Sequence, residues 1–362
     1  MRRSASSSNA SSCARWHRRA EAVLNGALIG CGFFAVNQLH AWQEIEGARI
    51  VALCDRDPER LAKAGRDFGV ERYFADAEAM FAEERLDFVD IATTLPSHRA
   101  LVELAARHRV PVICQKPFAA TMADGRVMVA ACEAAGVPLM VHENFRWQAP
   151  IRAVRAVIDS GRIGEVFWGR VSFRSSYDVF SGQPYLATGE RFIIEDLGIH
   201  SLDIARFLFG DVARLTSRTR RVNPAIRGED VATMLLDHEG GVTSVVDCSY
   251  ATRLAEEPFP QTLIEIDGSR GTIRLGQDFR MIVATDGGSE TLDVAPPLHP
   301  WMERPWHLIQ ESVVAIQQHW VACLAEGREP ATSGHDNLKT LALVEAAYRS
   351  AASGDTLALA GI

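Results

Sequence analysis

The sequence predicts an α/β protein: an N-terminal doubly wound parallel sheet of the Rossmann type, then an α+β domain built on a large open, mainly antiparallel sheet. Three observations predict it. From residue 26 to about residue 145, short apolar runs alternate with helical patterns. The first run meets its helix at a glycine-rich turn, Gly30-Cys31-Gly32-Phe33-Phe34-Ala35. Beyond residue 145 the pattern changes to two-residue alternation, broken by Gly240-Gly241 and Asp267-Gly268, as antiparallel strands and their turns require. A chain of 362 residues can fill two separate cores. The expected limits are 26–145 for the first domain and 146–362 for the second, with the closing helices free to pack back on the first.

Taken in order, residues 27–29 read as the first buried strand, and a helix starting near Phe34 places Val36, Leu39 and His40 at helical spacing. Residues 50–54 form the second strand and end at Asp55. Asp57 is then a candidate N-cap and Pro58 a first-turn proline. Strands at 88–92 and 110–114 enclose a helix at 99–107, and a helix at 122–135 leads to a strand at 137–141. In the second half a helix at 150–160 precedes alternating runs at 166–173, 232–236, 242–248 and 263–266. One helix, about 198–209, interrupts them, and helices at 306–325 and 337–351 close the chain.

Composition narrows the function. The net charge of −8 lacks the basic excess that phosphate neutralisation needs, which argues against nucleic acid as a partner. No apolar run approaches the roughly 18 residues of a membrane span. Seven scattered cysteines without a C-x-x-C read as reduced thiols of a cytoplasmic protein. Residues 1–25 are rich in Ser and Arg without a following apolar h-region, so they read as a disordered extension or a misassigned start rather than a targeting signal.

Gly30 and Gly32 allow a tight strand-to-helix turn and close backbone approach to a pyrophosphate, while Ala35 fills the third, close-packed position. Asp55 lies 20 positions past Ala35, where a carboxylate accepts hydrogen bonds from an adenosine ribose and repels a 2′-phosphate. The expected cofactor is NAD, with the neighbouring Arg56 softening the discrimination against NADP.

Lys116-Pro117 follows the 110–114 strand, at the carboxyl edge where ligands bind in such sheets. An ammonium there can polarise a hydroxyl or stabilise an alkoxide. Asp196 and His200, four apart, share one face of a helix, so the carboxylate can orient the imidazole while it takes a proton; Asp203 offers the same support one turn on. Plainer roles remain open: an N-cap for Asp196 and a buried, hydrogen-bonded ring for His200. Glu195, Asp196, His200 and Asp203 could also face a divalent ion, but catalytic zinc wants more His or Cys, and no metal is expected. Arg146, Arg174, Tyr177, Asp178 and Gln183, on or beside strands of the second domain, suit the gripping of sugar hydroxyls.

This ordered set resembles the Gfo/Idh/MocA family of nicotinamide-dependent sugar and polyol oxidoreductases. The likeness runs from Gly26 to the C-terminus and rests on Gly30-Cys31-Gly32, the 91–98 segment ending in Thr93, Pro96 and His98, Lys116-Pro117, and the run from Asp196 to Asp203. It implies Lys116, Asp196 and His200 as catalytic residues, with His200 the favoured base. It also implies Thr93, Pro96, His98 and Gln115 on the cofactor's side, Asn144 near the nicotinamide, and homo-oligomers formed through the open sheet. One departure matters: where the family usually has Glu before Lys-Pro, this chain has Gln115. Lys116 then lacks an adjacent negative charge to hold its proton and could share base duty with His200.

The stretches 142–148, 182–185 and 228–230 are similar to one subgroup of the family, which oxidises a small branched aldose with NAD to a lactone. Alternatives to that activity are a polyol or inositol dehydrogenase, NAD-assisted glycoside cleavage, and a non-catalytic dinucleotide-binding regulator.

Overall fold

The computed structural model describes residues 23–359. The expected N-terminal extension therefore lies outside the described residues, apart from its last three. The described residues form two compact units, 23–142 with 316–335, and 143–315 with 336–359.

The first unit alternates strand and helix: β1 (Leu24–Ile29), α1 (Phe33–Glu44), β2 (Ala48–Cys54), α2 (Pro58–Phe68), β3 (Arg72–Phe74), α3 (Ala77–Glu83), β4 (Phe88–Ile91), α4 (His98–Arg107), β5 (Val112–Gln115), α5 (Met122–Ala135) and β6 (Leu139–His142). All six strands run parallel in the order β3-β2-β1-β4-β5-β6. β4, β5 and β6 are buried throughout, as expected of a sheet covered on both faces. β1 starts at Leu24 rather than residue 27, because Leu24 N–H bonds Gly47 O at 2.8 Å and Asn25 pairs with Arg49. Asp57 caps α2 through the N–H groups of Glu59 and Arg60, with Pro58 in the first turn. Residues 316–335 join this unit through local pairing: Val141 N–H bonds Thr332 O at 2.8 Å, and the Thr332 hydroxyl returns a bond of 2.8 Å to Val141 O.

One polar group sits inside this sheet. Asp90 on β4 is fully buried and accepts hydrogen bonds from Gln38 Nε2 (2.9 Å), Trp42 Nε1 (2.8 Å) and Gln317 Nε2 (3.5 Å). Burial pushes its carboxyl up to about 7, while the Trp42 and Gln38 donors oppose the rise. The folded protein thus holds a proton that the unfolded chain has already released. The resulting stability is complete below about pH 4 and is lost as pH rises through about 7. Carried from 3.8 to about 7, the group contributes up to roughly 4 kcal/mol. Asp90→Asn should remove this slope: its melting temperature exceeds that of the parent at pH 8, and the gap narrows as pH falls and closes at about pH 4. Gln38 can reverse its amide to receive the new N–H, since Gln38 Oε1 has no partner among the described residues.

The second unit opens with α6 (Ala149–Asp159) and β7 (Val166–Arg174), followed by α7 (Ile199–Phe209). Strands β8 (Val212–Arg220), β9 (Val231–His238), β10 (Thr243–Ser249), β11 (Leu263–Gly268), β12 (Gly271–Leu275), β13 (Arg280–Thr285) and β14 (Gly288–Asp293) follow. Helices α8 (His307–Glu326) and α9 (Gly334–Ser353) and the short β15 (Leu357–Ala358) end the chain. The nine strands order as β14-β13-β12-β11-β7-β10-β9-β8-β15, antiparallel except at β7 and β10. Helix α7 packs on one face of β7 and β10, where Val171, Phe173, Val246 and Cys248 are buried. Gly169 makes room for it, since a Cβ there would stand 2.2 Å from the Phe209 ring. The opposite face carries Arg170, Ser172, Arg174 and Asp247.

Among the described residues, no helix is long and apolar enough to cross a membrane, and six cysteines are free and buried.

Candidate active site

In the first unit, β1 turns into α1 at Gly30. Its φ of +97° is a left-handed value, and a Cβ would lie 2.9 Å from the Ala92 carbonyl and from Thr93 Cγ2. Gly32 has nothing within 4 Å of a Cβ position and caps α1 without a side-chain hydrogen bond. Asp55, just past β2, accepts from Cys31 N–H at 2.5 Å and from Asp57 N–H at 2.8 Å, which fixes its carboxylate beside the glycine turn. Burial, then Asp55 and Cys54, push the Cys31 thiol up to about 12, so the loop holds a neutral thiol. Phe33 is exposed, Phe34 meets His142 edge-on, and Arg56 is exposed. These features fit NAD: space over Gly32, a turn that only glycine completes, and an acceptor for ribose hydroxyls. Gly30→Ala should abolish NAD binding by calorimetry and cost roughly 2–4 kcal/mol of stability, because strained φ and a backbone clash coincide.

Thr93, Pro96 and His98 do not share one role. Thr93 Oγ1 accepts from Ser97 Oγ at 2.7 Å, and Pro96 is exposed in the turn before α4. His98, expected on the cofactor's side, is buried instead, with Nε2 3.0 Å from Thr93 O and Nδ1 3.1 Å from Pro117 O. Burial lowers its affinity for a proton, against the pull of these carbonyls. It fastens the Thr93 turn to the Lys116-Pro117 turn and has almost no surface of its own to offer a ligand. The Lys116-Pro117 peptide is cis, and Lys116 itself is half-buried. Gln115 Oε1 accepts from the Lys116 N–H at 2.7 Å.

In the second unit, Asp196 lies in a wide turn of the π type, Ile194–Gly198, that runs straight into α7. Such turns widen a helix and recur at functional sites. Glu229 holds the start of this turn, accepting from the N–H groups of Phe192 (3.3 Å) and Ile194 (3.2 Å) and from the Tyr348 hydroxyl (2.7 Å). His200 follows on α7, buried, with Phe145 stacked on its ring at 3.8 Å and 7°. Spacing assigns the orienting carboxylate to Asp196, but the group bonded to His200 Nδ1 is Glu143 Oε1, itself fully buried. Glu143 stands 57 positions from His200, so no spacing rule points to this pair. Asn144, next to it, donates to Ser312 Oγ at 2.6 Å.

Two residues expected to grip a sugar do other work. Arg146 is buried, with Nε 2.6 Å from Asp203 Oδ2 and Nη2 on Asp203 Oδ1 and Asp336 Oδ2. Burial opposes the Arg146 charge, but Asp203, Asp336 and Glu143 outweigh it. Burial likewise pushes the Asp203 carboxyl up, with Arg146 opposing, and the two-pronged contact keeps the pair ionic. Asp203 therefore supports Arg146 and not His200. Arg174 donates to Asp247 Oδ2 at 2.9 Å on the sheet face opposite α7, because strand residues alternate sides. Burial opposes the Asp247 charge, yet Arg170, Arg174 and Ser172 hold its pKa below the ordinary carboxylate range. Tyr177 stacks on Phe259 at 4.0 Å, Asp178 caps its own loop at Phe180 and Ser181, and Gln183 Oε1 accepts from Tyr185 at 2.6 Å. Among the described residues, no group of three His, Cys, Asp or Glu side chains is set to hold a metal.

The fitted glycine turn and the acid at the end of β2 are those of an NAD-dependent oxidoreductase. Residues 24–143 match the model of an oxidoreductase family with an NAD-binding Rossmann fold, GFO/IDH/MocA, and residues 151–274 match the GFO/IDH/MocA C-terminal domain. The chain belongs to the GFO/IDH/MocA family. It is 67% identical over 334 residues to a D-apiose dehydrogenase of Rhizobium rhizogenes, covering 92% of this chain and 97% of that one. An inositol 2-dehydrogenase of Rhizobium meliloti is 30% identical over 346 residues, covering 92% and 98%. Among solved structures, an oxidoreductase from Agrobacterium radiobacter in complex with NAD+, L-tartaric acid and magnesium superposes with a TM-score of 0.92 at 66% identity, covering 93% and 98%.

Proposed function

We propose that this protein is a cytoplasmic, NAD-dependent dehydrogenase that oxidises D-apiose or a similar small aldose at C1 to the lactone. The observation that carries the reading is the 67% identity to D-apiose dehydrogenase along 92% of this chain. Bound NAD supplies the hydride acceptor. His200 takes the proton of the C1 hydroxyl, and its burial keeps water from competing for that proton. Lys116 stabilises the oxygen as it loses the proton. Asp196, on the wide turn, is the third catalytic residue of this reading, and Tyr177, Asp178 and Gln183 remain candidates for the sugar's other hydroxyls. Asp55 selects NAD over NADP by charge.

A homo-oligomer, dimer or tetramer, is part of the proposal. A transverse row of Ile282, Arg274, Glu265, Arg170, Val245 and Leu235 crosses the sheet face away from α7. It mixes ion pairs with exposed Leu235 and Ile282, a composition suited to a self-complementary contact.

The reading is tested by following NADH with a panel of D-apiose, pentoses, hexoses and inositols. Preference for an inositol favours a polyol dehydrogenase, supported by the 30% relative. Sugar release from a glycoside without net NADH, or tight NAD binding with no turnover on any sugar, overturns the dehydrogenase assignment.

A further inference from the structure

Glu143 and His200 stand 57 positions apart in sequence, and both are buried. An ionised carboxylate only accepts hydrogen bonds, so its contact with Nδ1 places the ring proton there. In the neutral ring Nε2 is then the lone-pair nitrogen, the atom able to take a proton. Phe145, stacked on the ring, blocks rotation about its plane.

Beyond this pair the charge extends into the unit. Arg146 feels Glu143 electrostatically and is clamped by Asp203 and Asp336. Arg206 bonds Asp336 at 2.9 Å and Asp211 at 2.8 Å, and Lys339 bonds Asp211 at 2.5 Å. The carboxylates of this network are Glu143, Asp203, Asp336 and Asp211, and its cations are Arg146, Arg206 and Lys339; a proton on His200 places a positive charge against Glu143. Asp196 stands four positions earlier on the same helical run.

We infer that Glu143 is the positioning residue through which His200 works: it fixes the tautomer, presents Nε2 as acceptor, and sets a carboxylate against the imidazole that favours its charged form. This deepens the dehydrogenase reading and rests on it for its kinetic part, while the tautomer stands apart from activity.

The test has two arms. In the first, ¹⁵N NMR of histidine-labelled protein at pH 8, with the His200 signal identified by its loss in His200→Asn, should show the proton on Nδ1. In Glu143→Gln the signal should move toward a mixture of tautomers. In the second, Glu143→Gln should lower kcat by roughly 100-fold or more, as loss of an orienting carboxylate does. KM for the sugar and calorimetric NAD affinity should change little, and the acid limb of the pH profile should move to lower pH. Glu143→Asp should restore part of kcat. A wild-type proton on Nε2 overturns the inference, even if Glu143→Gln fails to fold. So does a folded Glu143→Gln with parental kcat and pH profile. If the parent oxidises no sugar, the functional reading falls, but the NMR arm still decides the pairing.

Discussion

His200→Asn should lower kcat with D-apiose by two to four orders of magnitude, the range that loss of a general base gives. Asparagine can still hydrogen-bond in the space of the imidazole, but it cannot carry a proton near neutral pH. Sugar KM and NAD affinity should therefore stay near the parental values, because the lost interaction acts on the reacting hydroxyl alone. The acid limb of the rate profile should vanish with the imidazole. Its survival in this variant would move base duty to Lys116, the alternative that Gln115 raises. A melting curve is the control, since Glu143 is buried and loses its histidine partner.

Lys116→Ala should lower kcat by roughly 100- to 1,000-fold, as removal of one donor to a developing oxyanion does. The acid limb should persist, since His200 is intact. Arginine should not rescue it: a planar fork does not reproduce a compact ammonium on a half-buried stem. Lys116→Met keeps the apolar stem and removes the charge, so it should match alanine in rate while melting closer to the parent. Near-full rates in both Lys116 and His200 variants would show that the roles are misassigned.

The sequence made the local parts of this molecule legible. Gly30, Gly32 and Asp55 are read from a single strand-turn-helix unit, and Asp57-Pro58 from one helix start. What escaped has no local signature. β3 is three residues long with Arg72 and Tyr73 exposed, so no periodicity marks it. β14 is almost wholly exposed and carries no apolar alternation. Glu143 reaches His200, and Arg146 reaches Asp203, each across 57 positions, while Asp336 is 190 positions from Arg146. Spacing rules detect carboxylates within a turn of an imidazole, so they point to Asp196 and are silent on Glu143. Arg174 shows a different limit: two-residue alternation identifies a strand but does not say which face receives α7.

NADH formation with purified protein, NAD and D-apiose addresses the proposed reaction itself. The expected result is one NADH for each D-apiose consumed, with the lactone as product and a clear advantage over inositols. Firm NAD binding accompanied by no NADH from D-apiose, any other aldose or any inositol would contradict it.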